Sequence, residues 1–149
     1  MHTVELLPDD ELDSLVREMW VGLLDRGLPS LASHPHPTNR PHLTVVNAAS
    51  LDGLPELSLP IAVAFEPPRM LGRALVLPVV PDAALRELHS LVWSKLPEAW
   101  PPPAEWVPHI SLALRFPDGT RAGGLSGPAG GSLVAARTYD SVSRTVRGL

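Results

Sequence analysis

The sequence repeats itself, and that limits its folding more than any other feature. A shift of 73 positions lays Pro8-Asp9 on Pro81-Asp82, and Leu12, Leu15, Trp20 and Leu23 on Leu85, Leu88, Trp93 and Leu96. Six of the sixteen positions from Pro8 to Leu23 are identical, more than chance gives, with the similar amphipathic pattern of the two helices contributing to the matches. Further on, Pro41-His42-Leu43-Thr44 falls on Pro108-His109-Ile110-Ser111 at a shift of 67, the loops after the two helices differing by six residues. Two like halves related by a pseudo-twofold axis bring equivalent strand starts face to face. His42 and His109 are then expected in one groove.

The local pattern fits this scheme. Val4 to Leu7 reads as a short strand. Pro8-Asp9 signals a helix start, since a side-chain oxygen there satisfies exposed N–H groups at the positive end of the helix dipole. Leu12, Leu15, Met19 and Leu23 recur at helical spacing, with Val16 and Leu24 widening the stripe, until Gly27 and Pro29. Leu31 to Arg40 is a loop and His42 to Ala48 a strand. Pro60 to Glu66 and Arg73 to Val80 predict two more strands. Pro81-Asp82 opens a second helix carrying Leu85, Leu88, Val92 and Leu96. A proline-rich loop from Pro97 to Pro108 leads to a strand from His109 to Phe116. Gly119 to Gly131 reads as a linker, and Ser132 to Val146 as one long strand or a hairpin. The expected fold class is α+β, one domain over residues 1–149 with halves near 1–72 and 73–149.

Strand alternation gives the two motifs their chemistry. Side chains alternate between faces, so His42, Thr44 and Val46 are expected on one face and Leu43 and Val45 on the other. Likewise His109, Ser111 and Ala113 oppose Ile110, Leu112 and Leu114. Proline before each histidine cannot donate to a ladder and suits a strand's first residue, leaving each histidine at the strand mouth. An imidazole titrates near pH ~6.5, so one of a pair can act as base while the other acts as acid. Phosphodiester hydrolysis needs both roles. Thr44 and Ser111 hydroxyls and strand N–H groups can donate to phosphate oxygens where charge builds in the transition state. The scheme calls for no metal and no cofactor.

These residues resemble the two-histidine phosphoesterase superfamily, which includes the 2′-5′ RNA ligase and cyclic phosphodiesterase family. Its signature is a pair of His-apolar-Thr/Ser-apolar motifs, one per lobe, matched here by His42-Leu43-Thr44-Val45 and His109-Ile110-Ser111-Leu112. The resemblance covers about Val4 to Phe116. It implies a duplicated bilobal fold: two pseudo-symmetric lobes of mainly antiparallel sheet, a helix packed on each, and an active-site groove between them. It further implies cleavage of 2′,3′-cyclic or 2′-5′ phosphodiesters of small nucleotides or RNA termini. His109 would then be the base for water and His42 the acid. The family name also implies reversible 2′-5′ joining of RNA.

The rest of the chain bounds the substrate. A net charge of −4 gives no basic footprint for a long nucleic acid and leaves room for a small anionic ligand; the resemblance implies that this partner is a small nucleotide or RNA-terminal phosphodiester. The chain has one lysine, Lys95, on a helix. Cationic help is therefore expected from Arg40, before the first motif, or Arg115, after the second, with Trp106 the candidate to stack on a base. Arg115 shares the His109 face only if the strand stays regular. Without cysteine, disulfides and thiolate chemistry are excluded. No apolar run approaches the ~20 residues of a membrane span, and no export signal is evident, so the expected setting is the cytoplasm and the expected state a monomer. His34 and His36, in His-Pro-His-Pro, read as a solvated loop, His89 as a structural residue, and Trp20 and Trp93 as core. Two other readings remain: a non-catalytic nucleotide- or phosphate-binding protein using the same groove, and a serine hydrolase built on Ser111, which lacks the Gly-x-Ser-x-Gly elbow.

Overall fold

A computed structural model describes residues 1–117 and 123–149. The elements run β1 (His2–Pro8), α1 (Asp10–Asp25), β2 (Leu43–Ala48), β3 (Ile61–Ala64), β4 (Arg69–Leu71), β5 (Ala74–Pro78), α2 (Ala83–Lys95), β6 (His109–Ala113), β7 (Gly130–Asp140) and β8 (Thr145–Gly148). The fold is mixed α+β. The strands form one antiparallel sheet in the order β3-β7-β1-β2-β6-β5-β4, with β8 paired to β7. They do not separate into two sheets, because β2 and β6 pair at the centre through Leu43 and Ile110. The sheet curls until its far strands meet: Val80 N–H donates to the Ala64 carbonyl at 2.8 Å and Glu66 N–H to the Pro78 carbonyl at 3.0 Å. No helix among the described residues is long and apolar enough to cross a membrane.

Both helices start where the sequence signals them. The Asp9 carboxylate accepts from Leu12 N–H at 2.8 Å and the Asp82 carboxylate from Leu85 N–H at 2.9 Å. An N-cap of this kind contributes about 1 kcal/mol. α1 buries Leu12, Val16, Met19, Trp20 and Leu23, and α2 buries Leu85, Leu88, His89 and Val92. Both stripes join one apolar cluster with Val4, Leu6, Leu43, Ile110 and Leu77 from the sheet. Leu24, expected in the stripe, is exposed. It sits one residue past Leu23, on the solvent side of the last turn.

The Gly-rich stretch has a packing role at its end. Residues 119–122 of the expected linker lie outside the described residues, but Gly130 and Gly131 open β7. A Cβ at Gly131 would come within 2.8 Å of Leu12 Cδ2, so glycine lets α1 lie close on the sheet. The C-terminal segment resolves as a hairpin, β7 with β8. β4, absent from the sequence reading, forms with β5 a hairpin around Gly72, which has φ +59°.

Both motif strands depart from simple alternation at the same place. On β2, Thr44 pairs with Glu5 and Val46 with Val4, so Val45 is an extra, bulged residue. On β6, Ser111 pairs with Val76 and Ala113 with Leu75, which makes Leu112 the extra residue. A bulge moves the residues beyond it to the opposite face. Val46 therefore joins Val4 in the core, and Ala113 joins Leu75, rather than sharing the histidine faces as expected. Leu114 moves the other way, from the expected apolar face to 55 % exposure. The carbonyl just before each bulge is capped by an indole: Trp20 Nε1–H donates to Ser111 O at 3.1 Å, and Trp106 Nε1–H to Thr44 O at 3.2 Å. Trp20→Phe keeps the ring and removes the donor. Leaving the Ser111 carbonyl unsatisfied should cost about 1–3 kcal/mol in a urea unfolding series, and an unchanged midpoint would deny the indole this role.

Candidate active site

The central pairing fixes the geometry. With Leu43 opposite Ile110, antiparallel register sets His42 beside Ser111 and Thr44 beside His109. The four polar side chains share one face, while Leu43 and Ile110 are fully buried on the other. His42 and His109 occupy diagonal positions, which lie about 7–8 Å apart between backbones. That spacing lets two imidazoles flank one tetrahedral group.

The two rings are held alike. His42 Nδ1 lies 2.8 Å from the Arg40 carbonyl and His109 Nδ1 2.7 Å from the Val107 carbonyl. A carbonyl only accepts, so each Nδ1 carries the hydrogen and each Nε2 is left for chemistry. In both cases the carbonyl belongs to the residue before the proline. Proline fixes φ near −65° and keeps the residue before it extended, which turns that carbonyl toward the ring.

Their surroundings differ. Glu5 Oε2 lies 3.7 Å from His42 Nε2, a counter-charge for an imidazolium. Glu5 is itself almost wholly buried, bonded through Oε1 to Arg137 Nε at 2.7 Å and accepting from the Thr3 hydroxyl at 2.9 Å. Breaking a buried pair of this kind by removing one partner costs roughly 3–5 kcal/mol. His109 has no carboxylate at its Nε2 among the described residues. Burial holds its pKa below the ordinary 6.5. The Val107 carbonyl opposes that shift, and the charges of His42 and Arg69 add to it.

A cavity of about 380 Å³ opens beside His42, lined among others by Glu5, His36, Ser111, Arg137 and Tyr139. His109 does not line it. His34 and His36, expected in a solvated loop, stand at its wall. His36 Nδ1 accepts from Thr38 N–H at 3.2 Å, so a neutral His36 carries its proton on Nε2, the opposite tautomer to His42. Its ring meets Tyr139 edge to face, with centroids 6.4 Å apart. Among the described residues no cluster of three side chains is placed to hold a metal ion.

The remaining sequence candidates lie elsewhere. Arg40 leans toward α1, its Nη2 3.7 Å from Asp13 Oδ2. Arg115 lies beyond the end of β6, where the bulge has broken the regular alternation, and is not among the residues lining the cavity. Trp106 is stacked on His89 at 4.2 Å and bonded to Thr44 O. His89 is buried as a structural residue, its pKa lowered by that burial. Trp20 is buried in the core and Trp93 packs against it. Sequence reasoning missed Glu5, Arg69, Arg137 and Tyr139. Only Glu5 left a signal, as a lone carboxylate inside the apolar run Val4 to Leu7.

No protein-family model matches this chain, and no curated protein matches it. The site therefore stands on its own geometry. Its asymmetry is measurable by proton NMR: the His109 Cε1–H resonance should titrate with a midpoint below 6.5, since burial disfavours its imidazolium. A midpoint at or above 6.5 would contradict the placement of His109.

Proposed function

We propose that the chain is a metal-independent phosphodiesterase. Its substrate is a 2′,3′-cyclic or 2′-5′ phosphodiester of a small nucleotide or RNA terminus, hydrolysed by two-histidine acid–base catalysis. The observation that carries this reading is the matched pair of imidazoles on one sheet face, each with Nδ1 engaged and Nε2 presented. His109, whose imidazolium is disfavoured by burial, takes a proton from water as the water oxygen bonds to phosphorus. The bond from phosphorus to the ribose oxygen breaks. His42, the acid in this scheme, gives that oxygen a proton from Nε2, with Glu5 Oε2 3.7 Å away. One proton is taken and one is given, and exchange with solvent resets the pair. Thr44 and Ser111 donate to the non-bridging oxygens, where charge develops. With a 5′-hydroxyl in place of water as the nucleophile, the same steps form a bond from the 5′ oxygen to the phosphorus of a 2′,3′-cyclic phosphate, break its bond to the 3′ oxygen, and leave a 2′-5′ linkage.

The cavity on the His42 side suits the leaving nucleoside, with Tyr139 as an aromatic wall. The chain's net charge of −4 favours a short substrate over a long polyanion. We read the fold as a duplication in two pseudo-symmetric lobes, near 1–72 and 73–149, with the groove between them. Support comes from features that match at the shifts of the sequence repeat. Asp9 and Asp82 both cap helices. Val45 and Leu112 are both bulged. Arg40 and Val107 both accept from a motif histidine.

Incubation with nucleoside 2′,3′-cyclic phosphates in excess EDTA tests the activity. Turnover to a phosphate monoester is expected, with His42→Ala and His109→Ala each lowering kcat by about 10²–10⁴-fold. A folded wild-type chain inert across a panel of cyclic and 2′-5′ substrates would rule the reading out, as would alanine variants at full rate.

A further inference from the structure

The face that carries the histidines holds two arginines in matching places. On one side Thr44 pairs with Glu5 and Glu5 with Arg137. On the other, Ser111 pairs with Val76 and Val76 with Arg69. Directly paired residues of neighbouring strands share a face, so each hydroxyl leads, two strands out, to a guanidinium. The residue between them differs. Glu5 takes Arg137 Nε at 2.7 Å, and the Thr38 carbonyl takes Arg137 Nη2 at 3.0 Å. Val76 offers Arg69 no such partner. Val76 is fully buried yet lies outside the apolar core cluster, as a residue on the floor of the histidine face would.

Arg69 is exposed and pairs with no carboxylate among the described residues. Its one side-chain hydrogen bond among the described residues is a long one, Nη1 to the Met70 carbonyl at 3.5 Å. Its charge nonetheless reaches His109, whose imidazolium it disfavours.

We infer that Arg69 is the cation that binds the substrate's phosphoryl oxygens, reaching over Val76 to the space bounded by Ser111 and His109. This rests on the reading that a phosphoryl group lies between the two imidazoles. A guanidinium can grip two phosphoryl oxygens at once. Among the described residues, Arg69 gives up one weak backbone contact to do so. Arg137 would have to abandon a buried carboxylate. The chain is acidic overall, so a local cation is needed to draw an anion to this face.

Inorganic phosphate titrated into the full chain tests this, followed by the His42 and His109 Cε1–H resonances. Arg69→Gln should raise the phosphate Kd at least about tenfold, as expected for loss of a charged hydrogen-bond donor, and Arg69→Lys should recover part of the loss. Arg73→Gln makes the same charge change beyond Gly72 on the same hairpin, and should bind phosphate as the wild type does. An unchanged Kd in Arg69→Gln, an equal loss in Arg73→Gln, or phosphate that moves neither histidine resonance would overturn the assignment. Binding through Arg69 without turnover of cyclic phosphates would uphold the assignment and defeat the proposed reaction. Turnover that Arg69→Gln leaves at full kcat/KM would defeat the assignment alone.

Discussion

Between β2 and β6 the sheet is joined through one antiparallel pair, Leu43 with Ile110, and the position of every polar group at the site follows from it. Because side chains alternate, a slip of one residue would turn His42 and Thr44 inward and break the core around Leu43. The apolar partners on the opposite face, Leu6 against Leu43 and Leu77 against Ile110, hold the register. Packing energy on the buried face thus positions the catalytic candidates on the other. The two bulges complete the arrangement. Each ends the polar face after its hydroxyl and returns the strand to the core, and each leaves a carbonyl that a tryptophan from elsewhere in the chain caps.

Near-symmetry of backbone is combined with asymmetry of charge. The rings are oriented in the same way, yet Glu5 stands beside His42, while burial, with a smaller push from the charges of His42 and Arg69, disfavours the imidazolium of His109. Two imidazoles in identical surroundings would compete for one proton. A carboxylate beside one ring and burial of the other give the unlike surroundings that the proposed acid–base pair requires. The exchange of Glu5 for Val76 at matching places also decides which arginine is committed to the fold and which is left exposed.

Much of this was legible in the sequence. Asp9 and Asp82 behave as caps because their chemistry is local, and the helical stripes hold because burial follows a period of 3.6 residues. His42, Thr44, His109 and Ser111 share a face because alternation holds up to the bulges. Beyond them it fails, since nothing in Val45 or Leu112 differs from an ordinary strand residue. A bulge is set by the partner strand. Arg69, Arg137 and Tyr139 were not legible because strand pairing across long stretches of chain brings them to the site. Trp106 looked available to a ligand because its bond to Thr44 O spans 62 residues.

The central claim is that His42 and His109 present their Nε2 atoms to opposite sides of one phosphoryl group. The direct measurement is a crystal structure with a nucleoside vanadate, whose five-coordinate centre mimics the transition state. The account predicts one vanadium centre on the sheet face, with each Nε2 within hydrogen-bond distance of a different apical oxygen. Vanadate bound to one histidine alone, or away from both, would contradict it.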